Sequence, residues 1–138
     1  LYLFDYCALT GQGSLVCVYD GSAAGGAGAP IDPHLSPDGL SLCFVLETGP
    51  ASAKDLFLLA LADQCALTAP PLQRLTHCGG EGLSSGAAEY VAQEEMQRMR
   101  GFFFSPCSRQ LLFTRFDERD VPPFTILHQV RCLGVCMC

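Results

Sequence analysis

The chain has 138 residues, 49% of them apolar, and carries 14 acidic side chains against 8 basic ones for a net charge of −6. That length fits one domain of common size, able to bury roughly two-thirds of its surface. Seven of the eight bases are scattered arginines, so the basic stripe of a nucleic-acid binder is missing, and no apolar run approaches the roughly 18 residues of a membrane span.

In chain order, Leu1–Cys7 and Leu15–Tyr19 read as strands closing one unit (residues 1–20). The chain opens on Leu1, already in strand pattern, with no charged leader and cleavage site, so it is expected to continue upstream. Residues 21–30, "GSAAGGAGAP", form a flexible Gly/Ala connection. Residues 31–78 supply most of a four-stranded unit: a strand at Leu40–Glu47, another at Asp55–Leu61, and a Pro-rich return to "LQRLTH" (Leu72–His77). Gly79–Ser85 reads as a loop leading to a helix that ends by Gly101. Phe102–Phe104, Gln110–Asp117 and Phe124–Val130 begin the next unit (102–130), and 131–138 is an atypical cysteine-rich tail.

Two echoes run through this order. "LYLFD" at Leu1 resembles "DLFLLAL" at Asp55. "PHLSPDGLSLCFV" (Pro33–Val45) resembles "FFFSPCSRQLLFT" (Phe102–Thr114): an apolar lead, Ser-Pro, a turn, then a strand. In Ser36-Pro37-Asp38-Gly39 the proline presets φ and the glycine accepts φ > 0. Repeated four-strand units of about 40–50 residues are how propeller blades look in sequence. The expected fold is therefore all-β: a partial β-propeller of about two blades with one inserted amphipathic helix.

The helix has ends of its own. Ser85 or Gly86 can cap it, Glu89 lies in the first turn, Arg98 and Arg100 in the last, and Gly101 stops it. Ala88, Val91, Ala92, Met96 and Met99 share one face, the spacing of a helix packed on a sheet. Glu94 can pair with Arg98 at i,i+4, while Glu95 has no such partner. A solvated helix face accounts for both acids on composition alone.

Two other patterns carry less. Gly82-Leu83-Ser84-Ser85-Gly86 satisfies the G-x-S-x-G of a nucleophile elbow, but that elbow needs a buried strand before the serine. "LTHCGGE" reads as loop and His128 is the sole downstream histidine, so Ser84 is rejected as a nucleophile. Of nine cysteines, Cys7, Cys17, Cys43, Cys65, Cys78 and Cys107 sit among apolar neighbours without regular spacing. They read as buried reduced thiols rather than a disulfide framework, favouring a cytoplasmic compartment. Cys132, Cys136 and Cys138 with His128 could supply four zinc ligands, but the spacing does not match paired knuckles, and no metal is expected.

The run "AEYVAQEEMQRMRGFFFSP" (Ala88–Pro106) resembles the N-terminal β-propeller domain of dipeptidyl peptidase IV-type enzymes, in the prolyl oligopeptidase group of serine peptidases. The family pattern is close to A-E-[FY]-[VI]-A-Q-E-E-M-x-R-x-x-G-[YF]-W-W-[SA]-P. "RFDERDVPPFTI" (Arg115–Ile126) is similar to the family's R-x-D-E-S-x-V-P segment, and the resemblance covers Ile31–Val130. It departs at Phe103-Phe104, where the family has Trp-Trp, and at Arg119, where it has Ser.

The resemblance implies that the helix projects toward a hydrolase domain and that Glu94 and Glu95 bind the free α-ammonium of a peptide. Two carboxylates held together repel, and a cation between them relieves the repulsion through charge-assisted hydrogen bonds. Gripping the amino terminus at a fixed distance from the nucleophile would release X-Pro or X-Ala dipeptides. The implied partners are peptides with a free N-terminus, a C-terminal α/β-hydrolase domain carrying the Ser-Asp-His triad, and a second copy in a homodimer. No catalytic residue falls within this chain, and no cofactor is needed. The alternative is a non-catalytic propeller serving as a peptide-binding or scaffold module. The tail "RCLGVCMC" departs from the strand pattern expected after "TILHQV" and reads as intron read-through or a frameshift.

Overall fold

The computed structural model describes residues 2–7, 12–21, 28–48, 53–61, 72–77, 80 and 82–122. Strands β1 (Tyr2–Cys7) and β2 (Gln12–Cys17) form an antiparallel hairpin with Tyr2 opposite Cys17. The second strand starts earlier than Leu15 and ends before Val18, because Val18 and Tyr19 leave the hairpin and are buried in a core cluster instead.

The main sheet is built on an antiparallel meander of β3 (Ile31–Leu35), β4 (Ser41–Glu47), β5 (Lys54–Ala60) and β6 (Leu72–Arg74). Four meandering antiparallel strands are the unit of a propeller blade. Two further strands extend this sheet. β7 (Leu83–Ser85) joins β5 in parallel through Lys54 and Ser84, and β10 (Arg115–Asp117) pairs antiparallel with β7. Between them in sequence lie the helix α1 (Tyr90–Met96) and a hairpin of β8 (Phe102–Phe104) and β9 (Leu111–Phe113). The described fold is all-β with one short helix, as expected of a partial propeller.

Alternation explains the core. Five consecutive β4 residues, Leu42–Leu46, are buried, as they must be when both faces of a strand are covered. On one face Leu42, Phe44 and Leu46 pack with Phe57, Leu59, Leu61, Val18 and Tyr19. The Phe44 ring lies 5.1 Å from Tyr19 and 6.5 Å from Phe57, centroid to centroid. On the other face Cys43 and Val45 pack with Leu56, Ala87 and Phe102. The chain on either side of the helix is therefore seated on the blade by the second cluster.

The Ser-Pro echo survives as geometry. Ser36 N–H donates to Ser41 O and Ser105 N–H to Gln110 O; Gly39 N–H returns to Ser36 O and Ser108 N–H to Ser105 O. Each serine hydroxyl accepts from the residue five along, Ser41 or Gln110. Gly39 (φ 73°) and Ser108 (φ 59°) both occupy the left-handed region, which glycine enters freely and serine at a cost. The two turns touch, since Asp38 N–H donates to Ser108 Oγ at 3.1 Å.

Asp55 is wholly buried in β5, yet its carboxylate is well served. It pairs with Arg74 of β6 and accepts from the hydroxyls of Thr48 (2.7 Å) and Thr76 (2.8 Å). Thr76 Oγ1 in turn accepts from Leu56 N–H. A buried carboxylate survives when paired and hydrogen-bonded in this way, and here it ties β5 to β6.

Three expectations are corrected. The loop at Gly79–Ser85 contains a strand, β7, because β10 supplies a partner thirty residues downstream. The single strand at Gln110–Asp117 is two, broken at Thr114: β9 pairs with β8, β10 with β7. Of the thiols read as buried, Cys43 is, but Cys17 and Cys107 are exposed. His128, Cys132, Cys136 and Cys138 lie outside the described residues, as do most of the Gly/Ala connection and the strand expected at Phe124–Val130. Among the described residues no helix is long and apolar enough to cross a membrane.

Candidate functional site

The helix stands on a narrow two-legged stalk. The entering leg leaves β7 through Gly86, whose φ of 79° and close approach to Leu56 leave no space for a Cβ. Ala87 on that leg bridges Arg100 on the returning leg. Ala88 N–H donates to Met99 O at 2.9 Å, and Gly101 N–H to Gly86 O at 2.8 Å. Thr114, at the break between β9 and β10, closes the base: its N–H donates to Gly101 O and its carbonyl accepts from Gly86 N–H.

The helix itself is shorter than the periodicity suggests. It runs only from Tyr90 to Met96, with Glu89 at the N-cap position and no side-chain cap. Gln97, in left-handed conformation (φ 51°), ends it, and Arg98 N–H returns to Ala92 O at 3.1 Å, a Schellman-type stop. Thus neither Ser85 nor Gly86 caps it, Glu89 lies just ahead of the first turn, and Arg98, Arg100 and Gly101 lie beyond its end. Arithmetic explains the length. Both legs must meet at the Ala87–Arg100 bridge, so the twelve residues between them must hold the helix, its left-handed stop at Gln97 and the chain that returns to the bridge. A four-turn helix rises about 22 Å and could not be returned by the residues available.

The face formed by Ala88, Val91, Ala92, Met96 and Met99 is not packed on the sheet as a whole. Ala88 and Ala92 are buried, but Val91 is 56% exposed, Met96 69% and Met99 48%. Tyr90 is 71% exposed. The stalk lifts the helix off the blade, so only its innermost small residues find cover.

Glu94 and Glu95 both stand exposed in the last turn of this helix. Successive helical residues point about 100° apart, so the two carboxylates flank a wedge of solvent. The expected Glu94–Arg98 pair does not form. Arg98 Nη1 donates instead to Arg100 O at 3.0 Å, and the Arg100 guanidinium lies 5.3 Å above the Phe103 ring. Both arginines are thereby drawn down onto the stalk. Among the described residues neither glutamate has an ion-pair partner. Gln93 between stalk and pair is fixed by its Nε2 donating to Ala88 O at 2.6 Å.

The aromatic run after the helix divides its work. Phe102 is wholly buried and anchors the returning leg; Phe103 is half-exposed beneath Arg100, and Phe104 packs against the second core cluster. Arg119 grips Asp117 through Nε at 2.8 Å and Nη2 at 2.6 Å, and this forked hydrogen bond holds the Asp117 carboxyl at a pKa of about 2. Ser84 lies inside β7, paired with Phe116 and Lys54, and the chain after it runs on as the stalk. The strand-to-helix turn of a nucleophile elbow is absent there. Thr114 is the residue that sequence reasoning missed: a lone threonine between "LLF" and "RFD" offers no local signal of a break.

Residues 19–132 match the family model described as the dipeptidyl peptidase IV (DPP IV) N-terminal region. The match takes in the main blade, the stalk, the helix and both flanking hairpin strands.

Proposed function

The chain belongs to the family of DPP IV N-terminal regions, and from that membership we propose that it is the substrate-gripping part of a dipeptidyl peptidase IV-like serine exopeptidase. Glu94 and Glu95 bind the α-ammonium of a peptide. The bond is cut in an α/β-hydrolase partner domain, whose serine attacks the carbonyl carbon of the Pro or Ala, expels the rest of the peptide as a free amine and leaves a dipeptidyl acyl-enzyme that water hydrolyses. This chain's own residues bind and orient; they do no bond chemistry.

The observation that carries the reading is the isolation of the two carboxylates: adjacent, exposed, lifted on a tied stalk, with the neighbouring arginines held elsewhere. An ammonium offers three donors, enough to serve both carboxylates at once. Each charge-assisted bond contributes about 1.5–3 kcal/mol. Fixing the amino terminus then fixes how far the chain reaches, which makes the helix a ruler for two residues.

Glu94→Gln and Glu95→Gln in the full-length protein test this. KM for a free-amine substrate such as an Ala-Pro amide should rise roughly ten- to a hundredfold for each, with the fold intact. Unchanged kinetics in both variants would remove the clamp from the mechanism. Peptide binding without any turnover in the parent would move the protein to the non-catalytic reading.

A further inference from the structure

We propose that Thr114 is the positioning residue that fixes the aim of the Glu94–Glu95 pair, an inference that rests on the clamp reading above. Thr114 lies nineteen or more residues from either glutamate in sequence and hydrogen-bonds to neither. Its side chain works on the stalk. The hydroxyl oxygen lies 3.2 Å from Ala87 O on the entering leg and 3.1 Å from Gly101 O on the returning leg.

The two carbonyls are not equivalent. Gly101 O already accepts from the Thr114 backbone N–H at 2.8 Å. Ala87 O faces away from the ladder between the legs, because the bonds flanking the Ala87–Arg100 bridge use Gly86 O and Met99 O. Among the described residues its donor is the Thr114 hydroxyl, and Ala87 is 3% exposed, so water does not readily replace it. A buried carbonyl stripped of its donor moves to find another. Ala87 lies three residues before the helix, and among the described residues the other ties across the legs are backbone bonds, those of the short ladder and those of the Thr114 N–H and carbonyl. A small rotation of Ala87 therefore swings the whole helix, and with it both carboxylates.

Backbone bonds from Thr114 to Gly86 and Gly101 do not depend on its side chain. Thr114→Val keeps them, keeps the branched shape and removes only the hydroxyl; Thr114→Ser restores the hydroxyl. The experiment compares binding of the dipeptide Ala-Pro with that of N-acetyl-Ala-Pro to the full-length protein, alongside thermal unfolding. The free-amine preference is the ratio of the two affinities. It should fall about fivefold in Thr114→Val and return to the parent value in Thr114→Ser, while Glu94→Gln and Glu95→Gln abolish it.

A Thr114→Val protein that unfolds earlier but keeps the parent preference would overturn the positioning role and leave the clamp standing. A Thr114→Ser variant that fails to restore the preference would overturn it too, since the hydroxyl would not be the active part. Preference retained in both glutamine variants would overturn the clamp itself, and the role of Thr114 with it.

Discussion

Replacing Gly86 by alanine probes the closest approach of the stalk to the blade. Two separate costs arise. Alanine at φ 79° pays for the left-handed region, about 1–2 kcal/mol, partly offset by about 0.4–1 kcal/mol from a less flexible unfolded chain. Its methyl group must also enter space held by three carbons of the Leu56 side chain. Leu56 is fully buried between the sheet and Phe102, so it cannot swing into solvent, and overpacking of this kind costs about 1–3 kcal/mol. Gly39→Ala supplies the control, because Gly39 has nearly the same φ, 73°, with no atom within 4 Å of a built Cβ. The backbone cost is common to both, and the difference isolates the collision. With a urea slope of about 2 kcal/mol/M, Gly39→Ala should lower the unfolding midpoint by about 0.5 M and Gly86→Ala by about 1–2 M. Equal midpoint shifts would show that the stalk does not press on Leu56, and the seating of the helix described above would be wrong.

Other expectations follow from the same contacts. Asp55→Ala strands Arg74 and two hydroxyls, and since Arg74 is one-third exposed the loss should be about 3 kcal/mol, at the lower end for broken buried pairs; urea titration reads it, and a loss under 1 kcal/mol would mean the network is not formed. Burial pushes the Cys43 thiol up to about 12, whereas the Ser105 hydroxyl beside Cys107 lowers that thiol. Site-resolved alkylation at pH 8 should therefore label Cys107 well ahead of Cys43, and the reverse order would contradict the burial of β4. The Arg119 fork depresses Asp117 in the folded state to about 2. Its stabilising effect is thus present above the ordinary carboxylate range and is lost as pH falls from about 4 toward 2. Carboxyl NMR shifts should show Asp117 titrating well below the usual aspartate value, and Arg119→Ala should raise it toward that value.

Much of the fold was legible because its signals are local. Ser-Pro-Asp-Gly encodes its own turn, and the second copy keeps the hydrogen bonds even though cysteine and serine stand where aspartate and glycine did, because the backbone scheme needs only the first serine. The apolar runs at Leu40–Glu47 and Asp55–Leu61 gave strands to within a residue or so at either end. β7 was not legible, since three residues after a glycine-rich stretch become a strand only when β10 arrives to pair with them. Nor was the division at Thr114, where continuous strand pattern is shared between two different partners.

The candidate site divides along the same line. Sequence by itself determined the residues of the glutamate pair, their place on a helix and the family to which they point, because adjacency and composition are properties of the chain alone. Tertiary structure decided how long that helix is, which way its apolar residues face and whether the glutamates are neutralised. Those depend on where two legs of the chain are brought together, at the Ala87–Arg100 bridge and over Thr114. Closing a loop fixes the length of what lies inside it, and the residues that close this one lie outside the helix.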